Sequence, residues 1–426
     1  MLTSQWKQRF ASGAMNRTLN LLYPGEANPE ARYLQILDEF LERYGDMETV
    51  LFSVPGRTEI SGNHTDHNCG KVLAASVNLD IIAAAAKTDD GVIRVKSARY
   101  PEDVVDIRAL NPDAVRKGSS RALLSGMCEA FEKAGLKSGG FRACTASSVL
   151  SGSGLSSSAA FEIMAGRILS YFHNGDAVKP MDLAKAGQYA ENVYFGKPCG
   201  LMDQAACASG GFLFLDFKDP GSPVAEKLRF DPEEAGYAFC IVNTGGSHSD
   251  LTEDYAAVPK EMRDCAALMG KKTLRECEED EFLKRIRALR AAAGDRAVLR
   301  AIHYFEENKR VERQKEALEA GDTEAFLRLV SESGRSSFEY LQNVYAPKAP
   351  EEQGISLALA LSDLFGAVCR VHGGGFAGTI QAYVPLGRSE DYRAAMDAVF
   401  GQGACMILRI RPCGSVVLSE DGVKEA

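Results

Sequence analysis

Residues 148–166 read SVLSGSGLSSSAAFEIMAG, a passage in which an apolar strand-like run empties into Gly152, Gly154 and three consecutive serines, Ser156 to Ser158. An alanine-rich helical pattern then continues to His173. A strand, a glycine turn and a helix in immediate succession bind the chain to a mixed α and β architecture at this point. Glycines let backbone approach an anion closely, and the helix start behind them offers unpaired N–H groups and a favourable dipole. The passage is not a P-loop, because no lysine follows the glycines, and it lacks the dinucleotide fingerprint, because a serine stands where the third glycine belongs. A serine-capped helix after a flexible turn fits the same letters, since serine is a good N-cap. Both readings stand at this stage.

At 426 residues the chain is too long for one ordinary core, so two domains are expected. Strand-like runs at "LFSV", "VLAASVNL", "VIRV" and "FRACTASSV" follow a helical lead-in of about 45 residues with Trp6, and "GGFLFLDF" and "YAFCIVNT" come later. Between these last two lies "KDPGSPVAEKLRFDPEEAG", rich in Pro, Gly and charge. It suggests a junction and a division into 1–232 and 233–426. Helices are predicted at Glu261 to Met269, Phe282 to Ala293 and Asp295 to Ala320, then strands at "GAVCRV", "GTIQAYV" and "ACMILRI". The fold class is therefore α+β.

A net charge of −9, with bases and acids interspersed, argues against a nucleic-acid partner and for a small-molecule one. Eleven cysteines without a Cys-x-x-Cys pair point to reduced thiols in a cytoplasmic protein without disulfides. The longest apolar stretch, "VNLDIIAAAAKT", is cut by Asp80 and is far shorter than the ~20 residues of a membrane span, so no membrane partner is expected.

The most polar stretch, "GRTEISGNHTDHNCG" from Gly56 to Gly70, directly follows the apolar "LFSV" and Pro55. Such side chains belong at a surface or a cleft, because burying them unpaired is costly. A solvated hairpin loop and a recognition site both fit. His64, Asp66 and His67 could also form a metal cluster, but consecutive loop residues without a distant fourth ligand make weak zinc sites.

Taken together these motifs carry a resemblance. "GSGLSSSA", Gly152 to Ala159, resembles the second motif of the GHMP small-molecule kinases; "PGRTEISGNHTDHNCGKVL" is similar to the sugar signature of the galactokinase family within them; "GGGFAG", Gly373 to Gly378, resembles their third glycine motif. "AENVYFGKPCGLMDQAA" and "HYFEENKRV" match two further stretches of that family, all in order between about residues 52 and 385.

The resemblance implies an ATP- and Mg2+-dependent sugar 1-kinase, with galactose the foremost substrate. The implied fold has a ribosomal-protein-S5-like first domain and a ferredoxin-like second domain, with the site between them. It implies that Asp203 is the catalytic base and Arg57 its charge partner. Asn63, His64, Asp66, Gly200 and Tyr255 would meet the sugar. Gly152, Ser153, Gly154, Leu155, Ser156, Ser157 and Ser158 would cradle the nucleotide phosphates, and Ser158 and Glu191 would hold magnesium. A monomer is expected. Tyr255 could equally be packing, Asp203 could cap a helix, and His248, His303 and His372 read as structural or peripheral.

Departures from the family pattern are Asn63 in place of a sugar-binding glutamate, Glu59 in place of an asparagine, His372 where threonine is common, and no aromatic residue in "SSRALLSG". They leave open a kinase for a C6-altered sugar such as galacturonate. A regulatory sensor that binds sugar and ATP is opposed by the intact serine and alanine run, and a kinase of non-sugar alcohols by His64, Thr65 and Asp66.

Overall fold

Two long strands organise the first half of the molecule. β1 (Val50–Ser61) and β2 (Lys71–Lys87) pair antiparallel, with register shifts between Pro55 and Arg57 and between Glu59 and Ser61. A computed structural model of the chain describes residues 1–149, 154–197, 199–245, 251–376 and 378–426. Gly152, Ser153 and His248 lie outside the described residues.

Alternation along these strands explains the apolar run "IIAAAA". Leu51, Ile82, Ala84 and Ala86 face the lead-in helices α1 (Thr3–Ala11), α2 (Asn16–Leu22) and α3 (Glu30–Tyr44). Phe52, Val54, Ala83 and Ala85 face the opposite core, with α4 (Ser120–Lys133), α5 (Ser157–His173), α6 (Pro180–Tyr189) and α7 (Met202–Ser209) on that side of the molecule. A sheet covered on both faces reads as continuous hydrophobicity rather than alternation. The strand thus runs through Asp80, whose fully buried carboxylate is paired with Arg32 and Arg411. β3 (Val92–Ser97), β4 (Glu102–Asp106) and β5 (Phe141–Ser147) extend one side of this sheet, and β6 (Phe212–Asp216) with β7 (Val224–Leu228) branches from β2.

The second sheet has the order β11-β8-β10-β9, built from β8 (Tyr237–Asn243), β9 (Val368–Val371), β10 (Thr379–Pro385) and β11 (Cys405–Leu408), all antiparallel. The helices that follow β8 in the chain are α8 (Thr252–Leu268), α9 (Glu279–Lys284), α10 (Ile286–Ala293), α11 (Asp295–Glu319), α12 (Thr323–Ser336), α13 (Gly354–Leu364) and α14 (Ser389–Phe400). The single helix expected over Phe282 to Ala293 is divided at Arg285.

Two contiguous blocks meeting at residue 232 do not describe the chain. β12 (Val416–Ser419) and β13 (Gly422–Glu425) return to the first sheet, where β12 pairs with β1. Val416 and Leu418 bury against the lead-in helices there, which draws the C-terminal residues back to the first core. The stretch read as a junction contributes β7, an edge strand on β6. Among the described residues no helix is long and apolar enough to cross a membrane.

Candidate active site

Strand β1 carries Arg57 into the interior, and the loop ahead of α5 closes over it. Arg57 N–H donates to Leu155 O at 3.2 Å, and a Cβ at Gly56 would lie 3.0 Å from that same carbonyl. The guanidinium then makes a two-pronged bond: Nε donates to Asp203 Oδ1 at 2.7 Å and Nη2 to Oδ2 at 2.8 Å, while Nη1 donates to Gly154 O. Burial would raise the Asp203 carboxyl, but Arg57's charge, with hydrogen bonds from Arg57 and Ser156, overrides it and holds the group at about 2. Asp203 therefore stays a carboxylate at any physiological pH, with its side chain still 28% exposed.

Two bland readings of the sequence are thereby answered. Ser156 occupies the N-cap of α5 in a left-handed conformation, yet its hydroxyl makes no cap and donates to Asp203 Oδ2 instead. Asp203 lies inside the first turn of α7 rather than at its N-cap, Leu201. Gly154, with φ +73°, is irreplaceable on two counts, because an added Cβ would stand 2.7 Å from Thr379 Oγ1 and 3.1 Å from His372 Nδ1.

Beside this pair lies a second acidic group. Ser158 Oγ donates to Glu191 Oε1 at 3.2 Å, and Gln204 Nε2 donates to Glu191 Oε2 at 2.9 Å and to Glu162 Oε2 at 3.0 Å. Both glutamates are buried, Glu191 on the wide turn Ala190–Phe195 that follows α6 and Glu162 one turn beyond Ser158 on α5. Burial raises both carboxyls, Glu162 well above its usual range with Glu191's charge adding to the effect. Glu162 Oε1 has no hydrogen-bond partner among the described residues. A hydroxyl, two buried acid groups whose nearby cation is Lys197, 3.9 Å from Glu191 Oε1, and an orphaned buried oxygen are a donor set that suits a hard divalent cation. Sequence reading named Ser158 and Glu191 but missed Glu162; the signal was an acid four residues after Ser158 in the apolar run AAFEIMAG.

The polar loop after β1 is buried rather than solvated. Arg57, Thr58, Glu59, Ser61, Asn63, Thr65 and Asn68 are all buried, Thr65 against Gly62 and Lys71 of the loop itself and the others against partners far away in sequence. Glu59 Oε1 accepts from Arg370 Nη2 at 3.0 Å and from Asn63 Nδ2 at 2.9 Å, and burial, only partly countered by Arg370 and Arg57, pushes its carboxyl up to about 7. Asn63 Nδ2 also donates to Gly373 O at 2.7 Å, and its Oδ1 accepts from Asn343 Nδ2 at 2.7 Å. His64 Nε2 donates to Gly374 O at 3.0 Å, and Tyr255 Oη to Gly375 O at 2.8 Å. Burial and then His67 depress His64 to about 3, so its ring is neutral.

Asn63, His64 and Tyr255 thus hold three successive carbonyls of the third glycine motif. Asp66 sits elsewhere, against Gly200, where an added Cβ would be 1.7 Å from its Oδ2. His372 is no peripheral residue: Glu59 N–H and Thr58 Oγ1 approach its Nε2 at 3.3 and 3.0 Å, and its Nδ1 lies 3.0 Å from Thr379 Oγ1, tying β1 to β10 beside Gly154.

The loop with its flanking strands, residues 38–87, matches the galactokinase galactose-binding signature, and residues 122–211 match the GHMP kinases N terminal domain. A galactokinase of Streptomyces coelicolor is 32% identical over 382 residues, 88% of this chain and 94% of that protein. The chain belongs to the galactokinase family of GHMP kinases. A galactokinase of Actinobacillus pleuropneumoniae is 32% identical over 366 residues, covering 83% and 90% of the two chains. Among solved structures, Lactococcus lactis galactokinase complexed with galactose superposes with TM-score 0.76 at 25% identity, over 89% of this chain and 97% of that one. Mevalonate kinase from Methanococcus jannaschii shares the fold at 16% identity and TM-score 0.59. The two-domain α+β GHMP fold of the galactokinases is thus the fold of this chain, and β12 and β13 complete its first domain from the C-terminus.

Proposed function

We infer that this galactokinase-family chain transfers the γ-phosphoryl group of ATP to the anomeric hydroxyl of galactose. The observation that carries the reading is the Arg57–Asp203 pair, set against Gly154 and Ser156 of the phosphate loop on one side. Phosphoryl transfer asks little covalent work of a protein and depends on positioning and charge neutralisation. Asp203, ionised and partly exposed, orients the attacking hydroxyl and accepts its proton. A carboxylate held at about 2 is a weak base, which suits a loose transition state where the proton leaves late. Arg57 keeps Asp203 charged and offsets charge on the transferring group.

Gly152 to Ser158 would cradle the nucleotide phosphates at the head of α5. Ser158, Glu191 and, added here, Glu162 would hold Mg2+, which supplies neutralisation of phosphate charge when bound. Asp66 and the Gly200 backbone would meet the sugar; Asn63, His64 and Tyr255 would shape its site through the glycine motif they hold. The protein would act as a cytoplasmic monomer.

Purified protein should release ADP only when galactose is present, and 31P NMR should show a sugar phosphate at the anomeric position. ADP release that is indifferent to every sugar in a panel of galactose, galacturonate, N-acetylgalactosamine and L-arabinose would overturn the reading.

A further inference from the structure

Helix α11 contains the "HYFEENKRV" motif, to which the catalytic reading assigns no part. One face of this helix, at positions 303, 304, 307 and 308, grips the backbone of the polar loop at both of its ends. At the entry, Glu307 Oε1 accepts from Gly62 N at 2.9 Å and from Ser61 Oγ at 3.0 Å, and His303 Nε2 donates to Asn63 O at 2.9 Å. At the exit, Tyr304 Oη donates to Asn68 O at 2.9 Å, and Asn308 Oδ1 accepts from Lys71 N at 2.7 Å.

The helix side chains are themselves fixed. Ser336 lies 2.8 Å from His303 Nδ1, Ser333 and Arg310 bond Glu307, and Asn308 Nδ2 donates to Tyr304 O at 3.0 Å. All four are buried. Apart from the one from Ser61 Oγ, the bonds fall on main-chain groups of residues 62, 63, 68 and 71, whereas the side chain of Asp66, between them, receives none of its bonds from α11.

We propose that His303, Tyr304, Glu307 and Asn308 are positioning residues for sugar recognition: α11 is a splint that holds the 62–71 loop in its binding conformation before the sugar arrives. A loop fixed in advance gives up less conformational freedom on binding, so loss of the splint weakens sugar affinity and leaves nucleotide affinity and chemistry alone. The inference rests on the reading of this loop as the sugar site.

Tyr304→Phe removes one hydroxyl and keeps the ring in its core; Asn308→Leu removes both bonds of a side chain of similar volume, and Asn308→Asp retains the acceptor for Lys71 N. Steady-state kinetics with galactose and ATP, with hydrogen exchange of residues 60–72 in the free protein, provide the readout. Each bond lost should raise the galactose KM about 2- to 10-fold, the scale of one net hydrogen bond. The ATP KM and kcat should hold, exchange in the loop should quicken, and Asn308→Asp should recover most of the loss. Asp66→Ala tests the underlying reading separately. If it leaves the galactose KM unchanged, the loop is not the sugar site. If it raises that KM while Tyr304→Phe and Asn308→Leu do not, or if those variants shift both KM values together without quickening loop exchange, the splint is refuted.

Discussion

Asp203 owes its properties to one neighbour and one loop residue. The two-pronged bond from Arg57 fixes both carboxylate oxygens, and Ser156 adds a donor. Asp203→Asn should lower kcat by ~10² to 10⁴ with little change in ATP affinity, measured by titration with a non-hydrolysable nucleotide, because its work is at the hydroxyl and not at the phosphates. Near-parental turnover would remove Asp203 from the chemistry. Position 63 is held by its own neighbours. The resemblance makes it a sugar contact, yet both ends of the Asn63 amide are engaged by Glu59, Gly373 and Asn343. Asn63→Glu would lose a donor to Gly373 O and set a second carboxylate beside Glu59. It should cost about 1–3 kcal/mol of stability in urea unfolding and lower kcat/KM for galactose without admitting galacturonate. A variant of parental stability with improved galactose kcat/KM would return position 63 to direct sugar contact.

Elements were legible in the sequence where their signal is local. The strand Phe141–Ser147 and the helix Ser157–His173 follow from periodicity and the serine run, and α11 matches the expected Asp295 to Ala320 almost to the residue. The polar stretch was not legible as buried, because what neutralises it lies far off: Arg57 meets Asp203, 146 residues on, and Glu59 meets Arg370, 311 residues on. No composition rule reveals that each polar group will find a partner. The return of β12 and β13 to β1 escaped for the same reason, since two short strands carry no mark of the sheet they join. The phosphate loop supplies a test at this scale. Gly154→Ala puts a methyl group 2.7 Å from Thr379 Oγ1 at a positive φ, where side chains are disfavoured. The loop should be displaced and ATP affinity should fall at least several-fold, about 1–2 kcal/mol, while circular dichroism stays unchanged. Unchanged ATP affinity in the folded variant would leave the loop a simple helix lead-in.

At the scale of the molecule, buried charge hydrogen-bonds the two halves together, and Glu307 is an instance. It stands on α11 of the second half, accepts from Gly62 N and Ser61 Oγ of the first, and bonds Arg310 and Ser333 beside it. Burial alone would raise its carboxyl, but Arg310 foremost, then His303, Arg370 and the Ser333 hydroxyl, hold it down at about 2, against an ordinary 4.5. The sign follows. A folded-state pKa below the unfolded value stabilises the ionised native form, so the contribution is complete above about pH 4.5 and is lost as pH falls through 2. The difference corresponds to about 3 kcal/mol at neutral pH, and Asp80 and Asp203, also held below their ordinary values, add to the same acid transition. Glu307→Gln isolates the one term. The variant should be less stable than the parent at pH 7, and the gap should close as both are unfolded in urea at successively lower pH, from 5 to 2. Curves that run parallel over that interval would mean that Glu307 acts through packing alone, and that the bond between the halves does not depend on its charge.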